Sequence, residues 1–325
     1  MNFVKLALEN GGSIHPLIIP AEHTNGTGIM NPSVFVENDK IMVILRHVNY
    51  TFYHSEKKLF QHQWGPLTYV HPENDMHLRT WNYYLELDND LNIVRYNKID
   101  TSRFSEKELW EFVGLEDARI FKWNGKLYTS GVRRDLDTIG TGRMELCEIV
   151  VTDDKVEEIS RFRIPPPKDP NSYCEKNWMP ILDLPYHYVK WTNPTEVVRV
   201  DPEKQTSETI HLGTSSPLPR DIRGGSQVIK INDYYLACTH EVDLFNSEVG
   251  RKDARYYHRF VLWDKNWNVL KYSKEFNFMS GDVEFCIGMA IQGDNLLMTF
   301  GFQDNAAYIL KVPVEVVSNI INSND

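Results

Sequence analysis

The chain has 325 residues, 42% hydrophobic and 25% charged, with 35 Lys+Arg against 45 Asp+Glu for a formal net charge of −10. That balance disfavours nucleic acid as a partner, since non-specific binding to it needs a basic surface. No apolar run is long enough for a transmembrane helix, and the opening MNFVKLALENGG is too short and too polar for a secretory signal; no membrane partner and a cytoplasmic location are expected.

Taken in chain order, apolar residues alternate or come in short blocks broken by Asn, Asp and Gly, the pattern of strands and turns. Residues 32–43 (PSVFVENDKIMV) read as a hairpin, and residues 81–96 (WNYYLELDNDLNIVRY) as a second strand pair. Residues 105–112 (SEKELWEF) read as a short helix, because Ser105 with Glu108 fits a capping box. A second hairpin follows at 117–128 (DARIFKWNGKLY), then a strand pair within 143–162. The proline run in residues 163–172 (RIPPPKDPNS) resists regular structure and predicts a surface excursion. Hairpins recur at 179–189 (MPILDLPYHYV), 226–237 (SQVIKINDYYLA) and 288–299 (GMAIQGDNLLMT), with a strand pair at 256–272 between the last two. Pro313 opens a C-terminal helix over residues 314–321. The turns Asn124-Gly125 and Asn232-Asp233 are good hairpin formers.

A hairpin followed by a second strand pair is the unit of a propeller blade. Five copies predict an all-β fold, a five-bladed β-propeller with short helical decorations. Residues 1–325 would form one domain, with 1–30 closing or capping the ring and 311–325 as a tail. The four cysteines, Cys147, Cys174, Cys238 and Cys286, are far apart and form no CxxC pair, so free thiols in a reducing compartment are expected. His71 and His77 bracket Asp75, but that loose spacing reads as a polar loop, and neither a metal nor a cofactor is expected.

In a propeller, residues at the ends of the inner strands converge at one mouth of the central channel. Leading into the hairpins are Asn31, then Glu116, Asp117 and Arg119, then Glu175, Lys176 and Asn177, then Arg223, Gly224 and Gly225, then Glu284. Leaving them are Arg46 and His47, Arg133 and Arg134, His240 and Glu241, and Gln303, Asp304 and Asn305. Any one of these is an ordinary solvated turn residue; their recurrence in blade after blade predicts a functional funnel. Carboxylates there can hold sugar hydroxyls, and one can move a proton. Cations can hold phosphate or a nucleotide diphosphate. Trp178, Tyr256 and Tyr257 are candidates to stack on sugar faces. No P-loop, dinucleotide fingerprint or nucleophile elbow occurs. Gly224-Gly225 before a strand points only to a close backbone approach.

Several of these segments resemble glycoside hydrolase family 130, the β-mannoside phosphorylases and hydrolases, and the related glycosyltransferase family 108. GLEDARIF (114–121) is similar to the family's E-D-P-R segment, and EKNWMP (175–180) to its Lys-Asn segment. Arg223 to Ser226 resembles its glycine-rich turn, and Thr239-His240-Glu241 its Tyr-His-Gly. YYHRFVLWD (256–264), EFCIG (284–288) and FGFQD (300–304) resemble further elements in the family's order. The resemblance implies a five-bladed propeller that acts on glycosidic bonds with inversion. It also implies that Asp117 is the general acid/base, acting through a sugar hydroxyl, and that inorganic phosphate is a candidate nucleophile. By the same resemblance Asp304 would hold the donor sugar, and Lys176, Asn177 and His240 would serve the phosphate or leaving group. Together with the convergence argument, Asn31, Arg46, Glu116, Arg119, Glu284, Asp304 and Tyr257 are candidate substrate contacts. Arg133, Lys176, Asn177, Arg223 and His240 are candidates for the phosphate or leaving group.

Two departures stand out. Ala118 replaces the motif's proline, and His240-Glu241 replaces His-Gly, placing an extra carboxylate beside an anion site. The second keeps three readings open: a phosphorylase or a transferase using a sugar phosphate or nucleotide sugar, and an inverting hydrolase in which Glu241 or Glu284 activates water. A propeller that only binds glycan or protein, and sugar transfer onto modified nucleic acid, are the remaining alternatives. Sugar, linkage, acceptor and oligomeric state are not legible.

Overall fold

The computed structural model describes residues 1–52, 69–70, 74–214, 218, 221–246 and 252–323. Five four-stranded antiparallel units follow one another along the chain, and the first two are joined into one larger sheet where Ile99 and Asp100 pair in parallel with Val156 and Glu157. Blade one comprises Ile29–Glu37, Lys40–Val48, Leu78–Leu87 and Ile93–Asp100. Blade two comprises Glu116–Trp123, Lys126–Arg133, Arg143–Val151 and Val156–Arg163. Blade three comprises Met179–Pro180, His187–Thr192, Thr195–Asp201 and Thr206–Leu212. Blade four comprises Ile229–Ile231, Tyr234–Asn246, Lys252–Trp263 and Val269–Tyr272. Blade five takes Glu284–Gln292, Asn295–Phe302 and Ala306–Pro313 from the end of the chain and Ser13–Pro16 from its beginning. Ser13 lies opposite Lys311 and Pro16 opposite Tyr308, so an N-terminal strand completes the last blade.

The hairpins form where the sequence supplies the turn. Asn38-Asp39 (φ 49° and 62°) and Asn124-Gly125 (φ 48° and 79°) put both central residues in the left-handed region that a two-residue hairpin with the native twist requires. The strands behind them are apolar on both faces because each blade is covered on both sides. Five buried clusters correspond to five blade interfaces. Ile44 and Ile120 share the cluster between blades one and two, and Phe121 and Tyr188 the one between two and three. Val189 and Val261 share the cluster between three and four, Phe260 and Phe300 the one between four and five, and Val34 and Ile309 the one between five and one. That cycle of contacts closes the ring.

A buried polar side chain with no local signal in the sequence ties the blades together at the axis. Gln227, fully buried, donates from Nε2 to Ser33 Oγ (3.0 Å), Val34 O (2.9 Å) and Ile120 O (2.7 Å), and its Oε1 accepts from Met289 N (3.0 Å). It thus ties blades one, two and five to the segment entering blade four. Gln227→Leu removes all four bonds and strands buried partners, each costing about 1–3 kcal/mol. Urea denaturation of this variant is expected to show a loss of about 3 kcal/mol or more; a loss under about 1 kcal/mol would show the hub to be dispensable.

The helical expectations divide. Val314–Asn322 is a helix, as Pro313 predicts. Residues 105–112 are not helical: a short 3-10 turn covers Ser102–Phe104 and a short strand covers Phe112–Val113. Glu108 of the apparent capping box pairs instead with Arg79, and the amide after it, Leu109 N–H, donates to Asp135 O. An unexpected helix spans Phe3–Glu9, capped by the Asn2 side chain accepting from Lys5 N at 2.9 Å, and it buries Phe3, Val4 and Ala7 in the interface between blades four and five.

Candidate active site

The mouth of the channel is built from strained backbone. Asn31, Asp117, Asn177 and Asp304 all have left-handed φ, at 44°, 52°, 61° and 48°. Asn and Asp tolerate that region better than other side chains, but each such residue still costs on the order of 1–3 kcal/mol. Register shifts lie beside two of them, between Met30 and Ser33 and between Ser130 and Val132 opposite the start of blade two. These irregularities turn side chains out of the strand alternation and toward one another. Glycines make room for this: a Cβ on Gly224 would lie 1.9 Å from Asn177 O, and one on Gly225 2.2 Å from Cys238 O. The close backbone approach expected at Gly224-Gly225 is therefore present.

Asp117 is the hub. Its Oδ1 accepts from Asn31 Nδ2 and from Arg46 Nη1, both at 2.8 Å. Arg46 is itself fixed by Thr80 Oγ1 (3.2 Å), Tyr50 OH (2.9 Å) and Glu116 Oε2 (3.4 Å). From below, the fully buried Arg119 donates to the Asp117 carbonyl (2.8 Å), to Gly225 O (2.9 Å) and to Asn177 Oδ1 (3.5 Å). Its guanidinium lies over the Phe285 ring at 5.9 Å. The Asp117 and Glu116 side chains keep 15% and 17% of their surface, so both remain reachable from the channel.

The local charges separate the three carboxyls. Burial raises the pKa of Asp117, but Arg46, the Asn31 amide, Arg119 and Lys176 outweigh it and hold the group below its ordinary value. Burial also raises Glu116; Arg46 opposes that rise and Asp117 adds a smaller push upward, and the group stays above its ordinary value. Asp304 is pushed up to about 6 by burial, with Asp117 and Glu116 adding to the effect and Arg46 opposing it. Pairs of carboxyls driven apart in this way suit acid/base division of labour. On the far side His240 is kept neutral by burial and by the charges of Arg223 and Lys176; its Nδ1 lies 2.9 Å from Gly224 O. Its ring stacks on Tyr256 at 5.6 Å between centroids and a 7° interplanar angle. Lys176 is exposed and Arg223 half-buried. Neither head group has an ion pair or side-chain hydrogen bond among the described residues.

Four expected contacts lie elsewhere. Glu284 is fully buried and its carboxylate accepts the backbone N–H groups of Phe278, Met279 (2.8 Å) and Gly281 (2.7 Å), so it holds a turn rather than a substrate. Tyr257 points to the opposite sheet face from Tyr256 and interacts with Arg255; Tyr256 is the tyrosine whose surroundings include Asp117 and Asp304. Arg133 is engaged by Asp135 through Nε (2.6 Å) and Nη2 (3.1 Å), while its neighbour Arg134 is the one whose charge reaches Glu116. Trp178 is buried with its indole N–H on Glu175 (3.2 Å) and offers no open face. Glu241 does not crowd the anion side, because it pairs with Arg259. Of the polar loop, His71 lies outside the described residues, and Asp75 accepts from His77 N (3.0 Å) and Arg79 Nε (2.6 Å). Among the described residues no group of His, Cys, Asp and Glu could hold a metal ion, and no helix is long and apolar enough to cross a membrane. Tyr50, Thr80 and Phe285 belong to the site but carried no sequence signal beyond their place near strand ends.

No protein-family model and no curated protein matches this chain. Solved structures do. The β-1,2-mannobiose phosphorylase from Listeria innocua, in complex with β-1,2-mannobiose, is 16% identical with a TM-score of 0.55 over 96% of this chain and 97% of its own. A structure described under the finding that the GH130 family of mannoside phosphorylases contains hydrolases targeting β-1,2 mannosidic linkages is 13% identical, TM-score 0.60, over 89% and 85%. A GDP-Man-dependent mannosyltransferase from Leishmania mexicana is 12% identical, TM-score 0.50, over 93% and 90%. At these identities the likeness is one of fold, and the chain has the β-propeller fold of the GH130 mannoside phosphorylases and hydrolases.

Proposed function

We propose that the chain is a mannoside-acting enzyme that transfers a glycosyl unit with inversion, residues 1–325 serving as one catalytic unit, with Asp117 moving the proton. The observation that carries this is the convergence on Asp117 of Asn31, Arg46 and Arg119, opposite Lys176 and Arg223, two cations without an ion-pair partner among the described residues. Asp304, Glu116 and Tyr256 would face the donor sugar; Lys176, Asn177, Arg223 and the neutral His240 would face the phosphate or leaving group. Asp117 rests ionised, which suits a base that takes the acceptor's proton through a sugar hydroxyl as the glycosidic bond forms; the reverse direction returns that proton. The hydrolase reading is less well supported, because Glu241 and Glu284, its two candidates for activating water, are engaged by Arg259 and by backbone amides.

The test is turnover of β-mannobioses with and without inorganic phosphate, alongside transfer from mannose 1-phosphate and GDP-mannose to mannose acceptors. Transfer or phosphate-dependent cleavage is expected; phosphate-independent release of mannose would install the hydrolase instead. A pH dependence should accompany it. Above about 6 Asp304 is a carboxylate, an acceptor that holds sugar hydroxyls more strongly than its neutral form. KM for the donor is therefore expected to fall as pH rises through about 6, and Asp304→Asn to abolish that bend.

A further inference from the structure

Beside the anion side of the channel, between blade three and the segment entering blade four, opens a recess of about 440 Å³. Lys176, Asn177, Arg223 and Gly224 form the side shared with the candidate active site, and Trp191 and Lys190 form the wall beyond. Among the described residues the cations at the shared side have no carboxylate partners, yet their charges reach the site: Lys176 acts on Glu116, Asp117 and His240, and Arg223 on His240 and Tyr256. The carboxylates of the recess are already neutralised. Glu175 lies 3.3 Å from Lys190, and Glu196 lies 2.9 Å from Lys168. In a chain of net charge −10 this is a locally cationic hollow, built for a negatively charged ligand. Trp191 is half-buried and its indole N–H is held by Asn193 O at 3.0 Å, which fixes the ring as a wall.

An inorganic phosphate ion on Lys176 and Arg223 would leave most of that volume empty and Trp191 without a role. A ligand with an anion next to the reacting carbon and a flat ring beyond it fills both. Resting on the glycosyl-transfer reading above, we propose that this recess binds the nucleoside of a nucleoside-diphosphate sugar, with Trp191 as the platform on which the base stacks and Lys176 and Arg223 on the diphosphate. The bond between the sugar's anomeric carbon and the diphosphate oxygen breaks with its electron pair leaving on that oxygen. The acceptor's hydroxyl oxygen forms the new bond to the same carbon, and its proton passes to Asp117.

Calorimetry on the full chain with GDP, UDP and inorganic phosphate tests this. A nucleoside diphosphate is expected to bind at least tenfold more tightly than inorganic phosphate. Trp191→Ala should lose about 10- to 100-fold of that affinity, the value of one base–aromatic stack, and leave phosphate affinity unchanged. Trp191→Phe should retain most of it, and Lys176→Ala should weaken both ligands. Nucleoside diphosphates binding no better than phosphate, or an unchanged affinity in a folded Trp191→Ala, would overturn the proposal. The two readings fail separately. Phosphate-dependent cleavage of mannobiose that Asp117→Asn stops and Trp191→Ala does not touch would remove the nucleoside subsite and keep the transfer reading. Tight nucleotide binding without any glycosyl transfer would remove the transfer reading itself.

Discussion

Asp117→Asn is expected to lower kcat by about 10³-fold, within the 10²–10⁴ that a positioned acid/base group supplies, while the protein stays folded. The substitution is unusually clean here. Both Asn31 and Arg46 bond the same oxygen, Oδ1, and an asparagine keeps that acceptor. Asn also tolerates the left-handed φ of 52° at this position. What is lost is the negative charge and the ability to exchange a proton. Urea denaturation should therefore place the variant within about 1–2 kcal/mol of the parent, the scale of one charge-assisted contact. A second readout follows from the coupling of the carboxyls. The charge of Asp117 helps hold Asp304 up at about 6, so removing it should move the Asp304 bend in donor KM to lower pH. An unchanged kcat in folded Asp117→Asn protein would sink the catalytic assignment.

The blades were legible because each rests on local signals that survive without context. A turn such as Asn124-Gly125 selects the hairpin by itself, and apolar blocks on either side report that both faces are covered. The site was legible only down to the blade ends. Within a strand, one residue decides the face, and parity is invisible where both faces are buried. Tyr256 faces the channel while Tyr257 turns to Arg255, and Arg134's charge reaches Glu116 while Arg133 is taken up by Asp135, each a difference of one position. The register shifts beside Asn31 and Asp117 compound this, because a bulge resets parity without any mark in the sequence. Glu284 misled differently: a carboxylate at a blade start satisfied three turn amides, a role that depends on a loop whose path no local pattern predicts. The false helix at residues 105–112 has the same origin, since Glu108 found Arg79 across the fold in place of its own helix end. Gln227 shows the limit most plainly. Its partners come from three other blades, so only the closed ring gives it meaning.

Arg119→Met is the second large effect, and it couples stability to chemistry. Arg119 has no exposed surface, and burial lowers its pKa to about 10, which still leaves it charged at neutral pH. Its donors serve three acceptors on three parts of the ring: the Asp117 carbonyl of blade two, Asn177 Oδ1 before blade three, and Gly225 O before blade four. Methionine fills comparable length without a donor, so those acceptors are left unpaired in a dry site, at about 1–3 kcal/mol each. A loss of about 3–5 kcal/mol in urea denaturation is expected, a large share of the 5–15 kcal/mol that holds a typical domain. A structural role alone would stop there. Arg119 is also one of the cations that keep Asp117 ionised, so its removal must raise the Asp117 pKa. With Asp117 acting as the base, the acidic limb of kcat/KM should then move to higher pH in whatever folded Arg119→Met remains, and Arg119→Lys, which restores the charge without the fork, should return the limb toward its original position while recovering only part of the stability. A destabilised Arg119→Met with an unmoved acidic limb would confine Arg119 to holding the blades together.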